Sequence, residues 1–247
     1  MCKEGGQNKQ IKRAKNAFLF FQPSASLLLC YFATFLLYSS GMLYKILLMG
    51  PQGSGKGTQA EKLSAKLNIP SFAMGQLIRD EVATGSENGK KLEAIINQGL
   101  LVSDEDAAHL LKLRLQKPDT KNGYILDGYP RNLLQLAVFD FDTPTHIIVI
   151  DIPREESLKR LGGRLTCSAC GKVGSVISGI KVGDECSCGG KWTLRDDDKP
   201  EAISRRLEIY ENDTAPVIAE YEKKGIVHHV DGIGSVEEVF GRILDVI

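Results

Sequence analysis

The 247-residue chain has no excess of either charge: 31 lysines and arginines stand against 31 aspartates and glutamates. Proteins that hold nucleic acid over a broad face neutralise phosphates with surplus Lys and Arg, so that class is excluded and any anion site must be local. Six cysteines, four of them between Cys167 and Cys188, are too few and too unevenly placed for a secreted scaffold stapled by disulfides. Their clustering points instead to a metal in a reducing compartment. The sequence has no internal repeat and no Ser-His-Asp or Cys-His arrangement for nucleophilic catalysis. What remains is 43% hydrophobic and 25% charged, a balance that rules out disorder, collagen and a porin-like barrel. The length suits one ordinary domain, or one domain with inserts.

Long uncharged runs are confined to the N-terminus. Lys3, Lys9, Lys12, Arg13 and Lys15 precede a segment from Asn16 to Tyr44 without a charged residue. Residues Leu27 to Leu37 are strongly apolar, but Gln22, Pro23, Ser24 and Ser26 interrupt the run, leaving it marginal for the roughly 20 residues a bilayer span needs. A basic flank retained in the cytoplasm would also export the rest of the chain, in conflict with the phosphate-binding motif that follows. The reading favoured is an extension, residues 1–41, upstream of a functional chain beginning near Met42. The competing reading is a real anchor or targeting segment at residues 17–40. The body after Met42 is mildly acidic, because five basic residues but only Glu4 among the acids precede it.

From Met42 onward, short apolar or β-branched runs alternate with longer stretches of helical period, the rhythm of βα units. Strands are predicted at Tyr44 to Met49, Tyr124 to Asp127, His146 to Ile152 and Ile226 to Val230. All are near-continuously apolar, as in a parallel sheet covered on both faces. Helices are predicted at Thr58 to Lys66, Gly75 to Thr84, Gly89 to Gln98, Asp104 to Gln116, Arg154 to Leu161, Pro200 to Lys224 and Val236 to Val246. The fold class is therefore α/β with a doubly wound parallel sheet. Thr166 to Trp192 breaks the rhythm: rich in Gly, Ser and Cys, it would be an excessively long loop unless a metal organised it.

Directly after the first strand stands Gly50-Pro51-Gln52-Gly53-Ser54-Gly55-Lys56-Gly57-Thr58. Glycines let the backbone wrap phosphate oxygens, successive N–H groups and the helix N-terminus attract negative charge, and Lys56 reaches the terminal phosphates. In a strand-turn-helix context this is a strong phosphate-loop signal. Gly57 occupies the place where a Ser or Thr usually ligates Mg²⁺, and the hydroxyl follows at Thr58. Further on, Asp127 closes a predicted strand, where a carboxylate beside the loop can hold hydrated Mg²⁺, and Arg131 can fork onto a phosphate.

The run GPQGSGKGTQA resembles the adenylate kinase form of this loop, and the resemblance extends over about residues 42–247. Asp127-Gly128-Tyr129-Pro130-Arg131 is similar to that family's Asp-Gly-Phe-Pro-Arg signature. The resemblance implies a phosphate-loop core (42–71, 103–162, 200–247), a helical nucleoside-monophosphate insert (72–102) and a lid (163–199). It assigns Gly53, Ser54, Gly55, Lys56, Gly57 and Thr58 to ATP, together with Arg164, Val173 and Gly234. AMP falls to Met74, Arg79 and Val102, to the backbone of Leu100 and Leu101, and to Gly128, Arg131 and Gln135, with Arg195 and Arg206. Lys56, Asp127, Arg131, Arg164, Arg195 and Arg206 are the implied catalytic set. Phosphoryl transfer spreads charge over equatorial oxygens while two polyphosphates repel, so converging cations matter more than a general base.

The monophosphate pocket departs from its relatives: the family's Ser-Thr-Gly-Asp is Ala73-Met74-Gly75-Gln76 here. Gln135 corresponds to the residue that pairs with adenine, and an amide can bond an adenine edge in two places. AMP is the expected acceptor, with UMP or CMP as the alternative. Met74 also has a plain reading as a packing residue.

Cys167-x₂-Cys170 followed by Cys186-x-Cys188 resembles the zinc-bearing lid of bacterial adenylate kinases, with the second pair one residue tighter than usual. A structural Zn²⁺ on four thiolates is expected. Three-cysteine ligation with Asp184 nearby, or unligated thiols, are the other readings. Neighbours on a strand point to opposite faces, so His228 and His229 are read as structural. Asp197 is read as a neighbour of lid arginines.

The function expected is reversible transfer of the γ-phosphoryl of Mg·ATP to AMP, giving two ADP, by a cytoplasmic monomer without nucleic-acid or membrane partners. Its rivals are a zinc-ribbon binding module and a nucleotide-gated switch without chemistry. Lys172 and Lys181 against Asp184 and Glu185, with no aromatic residue between Cys167 and Cys188, weigh against the ribbon.

Overall fold

The computed structural model describes residues 43–97, 102–194 and 200–247, so the N-terminal segment, Leu100, Leu101, Arg195 and Asp197 lie outside the described residues. β1 (Tyr44–Met49) leads into α1 (Lys56–Leu67), and β2 (Ser71–Ala73) into α2 (Met74–Ala83), α3 (Glu87–Asn97) and α4 (Asp104–Leu115). β3 (Gly123–Asp127), α5 (Leu133–Val138), β4 (His146–Asp151) and α6 (Arg154–Gly162) follow. Three short strands come next: β5 (Arg164–Cys167), β6 (Val173–Ser175) and β7 (Trp192–Thr193). The chain ends with α7 (Pro200–Ile209), a π-helical turn at Tyr210–Thr214, α8 (Ala215–Glu222), β8 (Val227–Asp231) and α9 (Val236–Leu244).

Five strands form one parallel sheet in the order β2-β3-β1-β4-β8. The side chains alternate as strand geometry requires. Leu47, Met49, Tyr124, Leu126, Ile147 and Val149 pack into one core layer with residues of α4 and α8. Ile46, Leu48, Ile125, Ile148 and Ile150 pack into the other with α1 and α9. Burial on both faces explains the near-continuous apolar runs. The order reverses beside β1, whose neighbours β3 and β4 lie on opposite sides, and a crevice at strand carboxyl ends opens at such a switch point. Leu48 stands opposite Asp127 in the register, so the phosphate loop leaving β1 and the end of β3 meet there.

The separate antiparallel sheet, in the order β6-β5-β7, has a core of its own: Leu165, Cys167, Cys186 and Trp192, with Ile180 against them. That is a very small apolar nucleus. It organises the segment that the sequence leaves as an overlong loop.

Outside that segment, β2 and α5 lacked a sequence signal. β2 has three residues and α5 six, too short for a period to show. The stretch read as one helix, Pro200 to Lys224, divides at the π turn. Pro216 lies in the first turn of α8 and has no N–H, so an uninterrupted ladder is impossible there.

Candidate active site

The phosphate loop is shaped by glycine. A side chain at Gly50 (φ +133°) would put its Cβ 2.4 Å from the Ile150 carbonyl oxygen, and Gly53 (φ +85°) lies against Ser157 and Leu161 of α6. Gly55 is the N-cap of α1 with a left-handed backbone and no side-chain cap, and the first turn holds no acid. The helix thus presents uncapped N–H groups and a positive dipole end toward the crevice.

Lys56 folds back over this loop, donating 2.8 Å hydrogen bonds to the carbonyls of Gly50 and Pro51. Burial pulls its ammonium down to about 8; Asp127 opposes that shift, and Arg131, Arg206 and Arg164 add to it. Four residues that are distant in sequence therefore share one electrostatic neighbourhood with Lys56. Asp127, at the carboxyl end of β3, is raised by burial against the pull of Lys56 and Arg131. Its Oδ2 lies 3.8 Å from where a Gly57 Cβ would stand, so the carboxylate faces the first turn of α1. The exposed Thr58 follows on that turn.

Arg131 is held through both its backbone and its side chain. Its N–H donates to Gln135 Oε1 at 2.8 Å, its carbonyl accepts from Thr214 Oγ1 at 2.8 Å, and its Nε donates to the Gly128 carbonyl at 2.7 Å. Gln135 in turn donates from Nε2 to Asp104 Oδ1 at 2.8 Å. The amide expected to read a base is therefore oriented by a carboxylate and a main-chain N–H.

On α2, Arg79 is exposed and donates to Gln76 Oε1 at 2.6 Å, while Gln76 donates to Asp80 at 2.7 Å. Met74 is 5% exposed and belongs to the core, which favours its packing reading. Val102 precedes Ser103, whose hydroxyl caps α4. Val173 is exposed on β6. Gly234 (φ +119°) sits tightly against Glu238 Oε2 at the start of α9.

Sequence reasoning missed Arg160. From α6 its Nη2 donates to the Gly232 carbonyl at 3.0 Å and its Nη1 to the Gly53 carbonyl at 3.4 Å, tying the phosphate loop to the loop that carries Gly234. With Glu156 four residues before it, it reads as an ordinary solvated helix pair, and nothing local signals more. Asp104 and Thr214 are invisible for the same reason, since their partners lie far along the chain.

The four clustered thiols come together. Cys167 and Cys188 Sγ lie 3.4 Å apart, Cys170 and Cys186 4.0 Å, and all four within 4.8 Å of one another. A tetrahedral ion with Zn–S bonds of about 2.3 Å would set S···S edges of about 3.8 Å, so the cage fits. A Cβ on Gly190 would meet Cys167 Sγ at 2.6 Å, and that bare backbone keeps the cage open. The tight second pair is accommodated by a turn in which Gly189 N–H bonds the Cys186 carbonyl at 2.8 Å. Asp184 instead accepts from the Lys181 N–H at 2.8 Å, and the metal-competent group among the described residues is the four cysteines. Backbone N–H groups of Cys170 and Ala169 lower the Cys167 thiol to about 6. Cys188, where a Gly190 N–H contact is outweighed by the thiols of Cys170 and Cys167, is pushed up to about 12.

His229 bridges Asp151 (2.7 Å) and Glu222 (3.0 Å), while His228 stacks on His146, so neither joins the site. Among the described residues no helix is long and apolar enough to cross a membrane.

A family model described as adenylate kinase matches residues 48–226. The chain is 40% identical over 212 residues to the adenylate kinase of Agathobacter rectalis, covering 82% of this chain and 99% of that protein. It is 42% identical over 207 residues to that of Thermodesulfovibrio yellowstonii (81% and 96%), and 40% over 210 residues to that of Methanothrix thermoacetophila (82% and 97%). With the matched region running through the phosphate loop, the Asp127–Arg131 segment and the four-cysteine cluster, the chain belongs to the adenylate kinase family.

Proposed function

We propose that this enzyme transfers the γ-phosphoryl group of ATP to AMP, reversibly forming two ADP. The observation that carries this reading is the convergence of Arg131, Arg164 and Arg206, with the Asp127 carboxylate at the end of β3, on Lys56 of the phosphate loop. The loop amides and the start of α1 bind the donor's phosphates, and the Lys56 ammonium exchanges its loop carbonyls for phosphate oxygens. Arg131, Arg164 and Arg206, with Arg195 of the lid, neutralise the charge that builds on the equatorial oxygens. An acceptor phosphate is already anionic and needs no protein base.

Asp127, facing the first turn of α1 that carries Thr58, would hold a hydrated Mg²⁺, which would supply charge neutralisation for the donor phosphates. Four thiolates hold a structural Zn²⁺, whose closed coordination leaves no position for substrate. Arg79 and the residues around Val102 receive the monophosphate, and Gln135 reads its base. Residues 72–102 and 163–199 act as covers that close over the crevice and exclude water, which would otherwise compete as acceptor. Dependence on ATP supports a cytoplasmic setting, and the whole apparatus sits in one chain, in keeping with a monomer.

The test offers AMP, UMP, CMP and GMP side by side with Mg·ATP and measures diphosphate formation. AMP is expected to lead by orders of magnitude in kcat/KM. Preference for UMP or CMP would overturn the acceptor assignment, and ATP binding without any transfer would overturn the reaction.

A further inference from the structure

We propose that Thr214 is a positioning residue for phosphoryl transfer, holding Arg131 in place through its backbone. The inference rests on the reading that Arg131 engages the transferred phosphate.

The argument begins with the π-helical turn at Tyr210–Thr214. In a regular helix a threonine hydroxyl commonly bonds the carbonyl four residues earlier, which for Thr214 is that of Tyr210. Here that carbonyl accepts from the Ala215 N–H, five residues on, and the Thr214 hydroxyl points away from its own helix. It donates instead to the Arg131 carbonyl, 83 residues distant, at 2.8 Å, and Thr214 is only 8% exposed. Single-turn π segments of this kind often occur at functional sites.

Arg131 needs such an anchor because its side chain is exposed at the crevice and its Nε is tied to a main-chain oxygen, the Gly128 carbonyl. Its direction is inherited from the main chain. Thr214 takes the carbonyl and Gln135 the N–H, so both backbone polar groups of one residue are fixed by side chains from different elements. The same π turn continues directly from α7, which carries Arg206. One hydroxyl therefore ties the backbone of Arg131 to the turn that follows the helix of Arg206. Misplacement by about 1 Å is enough to cost on the order of a hundredfold in rate.

The test compares Thr214→Val, which keeps shape and removes the hydroxyl, with Thr214→Ser, which keeps the hydroxyl, each also in an Arg131→Met background. Thr214→Val is expected to lower kcat by about tenfold to a hundredfold while the KM for ATP stays within about threefold. Thr214→Ser is expected to restore most of the activity, and Thr214→Val is expected to add nothing once Arg131 is methionine. Thermal melts run alongside, and Thr214→Ala with the same expected pattern replaces valine if valine prevents folding. Full activity of Thr214→Val beside an impaired Arg131→Met overturns the positioning role alone. An undiminished further loss in the methionine background does the same. Full activity of Arg131→Met overturns the phosphate assignment beneath it.

Discussion

Lys56→Ala removes the ammonium at the centre of the charge cluster, and its consequences can be worked out term by term. In the free protein Lys56 satisfies the Gly50 and Pro51 carbonyls, and burial has already drawn its pKa down to about 8. Losing two hydrogen bonds destabilises the loop, but relief from burying a charge among three arginines offsets much of that cost. The melting temperature is therefore expected to move little. Transfer has no such compensation, because a donor aimed at developing phosphate charge in a dry site is worth roughly 3–4 kcal/mol, or about a hundredfold to a thousandfold in kcat. A coupled assay of ADP formation measures that loss directly. The pH profile gives a second readout: kcat/KM for ATP should fall above about pH 8 as the free enzyme's Lys56 deprotonates. The fall in kcat should come at higher pH, since bound phosphates stabilise the ammonium. The sign for stability is opposite. A lysine lowered on folding binds fewer protons than in the unfolded chain between about 8 and its ordinary value, so stability rises with pH across that window. Near-normal ADP formation by Lys56→Ala would refute the reasoning.

Chelation should lower the melting temperature by several degrees and release one zinc per chain while the five-stranded core stays folded, followed by metal analysis and circular dichroism. An unchanged melt with no zinc found contradicts the cage. Gly50→Ala, forced against the Ile150 carbonyl with φ at +133°, should cost about 1–3 kcal/mol in denaturant unfolding and weaken ATP binding. Wild-type stability in that variant would show that the loop relaxes freely. His229 is raised by its hydrogen bond to Asp151 and then by Glu222. Its contribution is present below its ordinary value of about 6.5 and is lost as pH rises through the raised folded value. Half-exposed as it is, it should stabilise by under about 1 kcal/mol relative to His229→Gln at pH 5–6. A gap that instead widens with pH would contradict the sign.

The central sheet was legible because both of its faces are covered. β1, β3, β4 and β8 are apolar runs with polar punctuation, and their bounds shift by only a residue or so between sequence and structure. The phosphate loop, Asp127 and Arg131 were equally legible, because a glycine turn, a strand-end carboxylate and an arginine keep their meaning in isolation. β2 at the sheet edge and α5 are shorter than any period. Thr214 and Arg160 exert their effects on backbone carbonyls 83 and 107 residues away, a relation that only folding creates. Gln135 lies between these cases: the resemblance singles it out, but the Asp104 carboxylate that orients its amide had no sequence signal.

The most direct measurement is a single turnover of γ-³²P-labelled ATP with excess AMP and magnesium on the purified enzyme. Converging cations acting without a protein base or a phosphorylated side chain predict that the label passes straight to the β-position of newly formed ADP. Protein and inorganic phosphate should stay unlabelled. Label trapped on the protein, released as phosphate in preference to transfer, or left wholly in ATP would contradict the account.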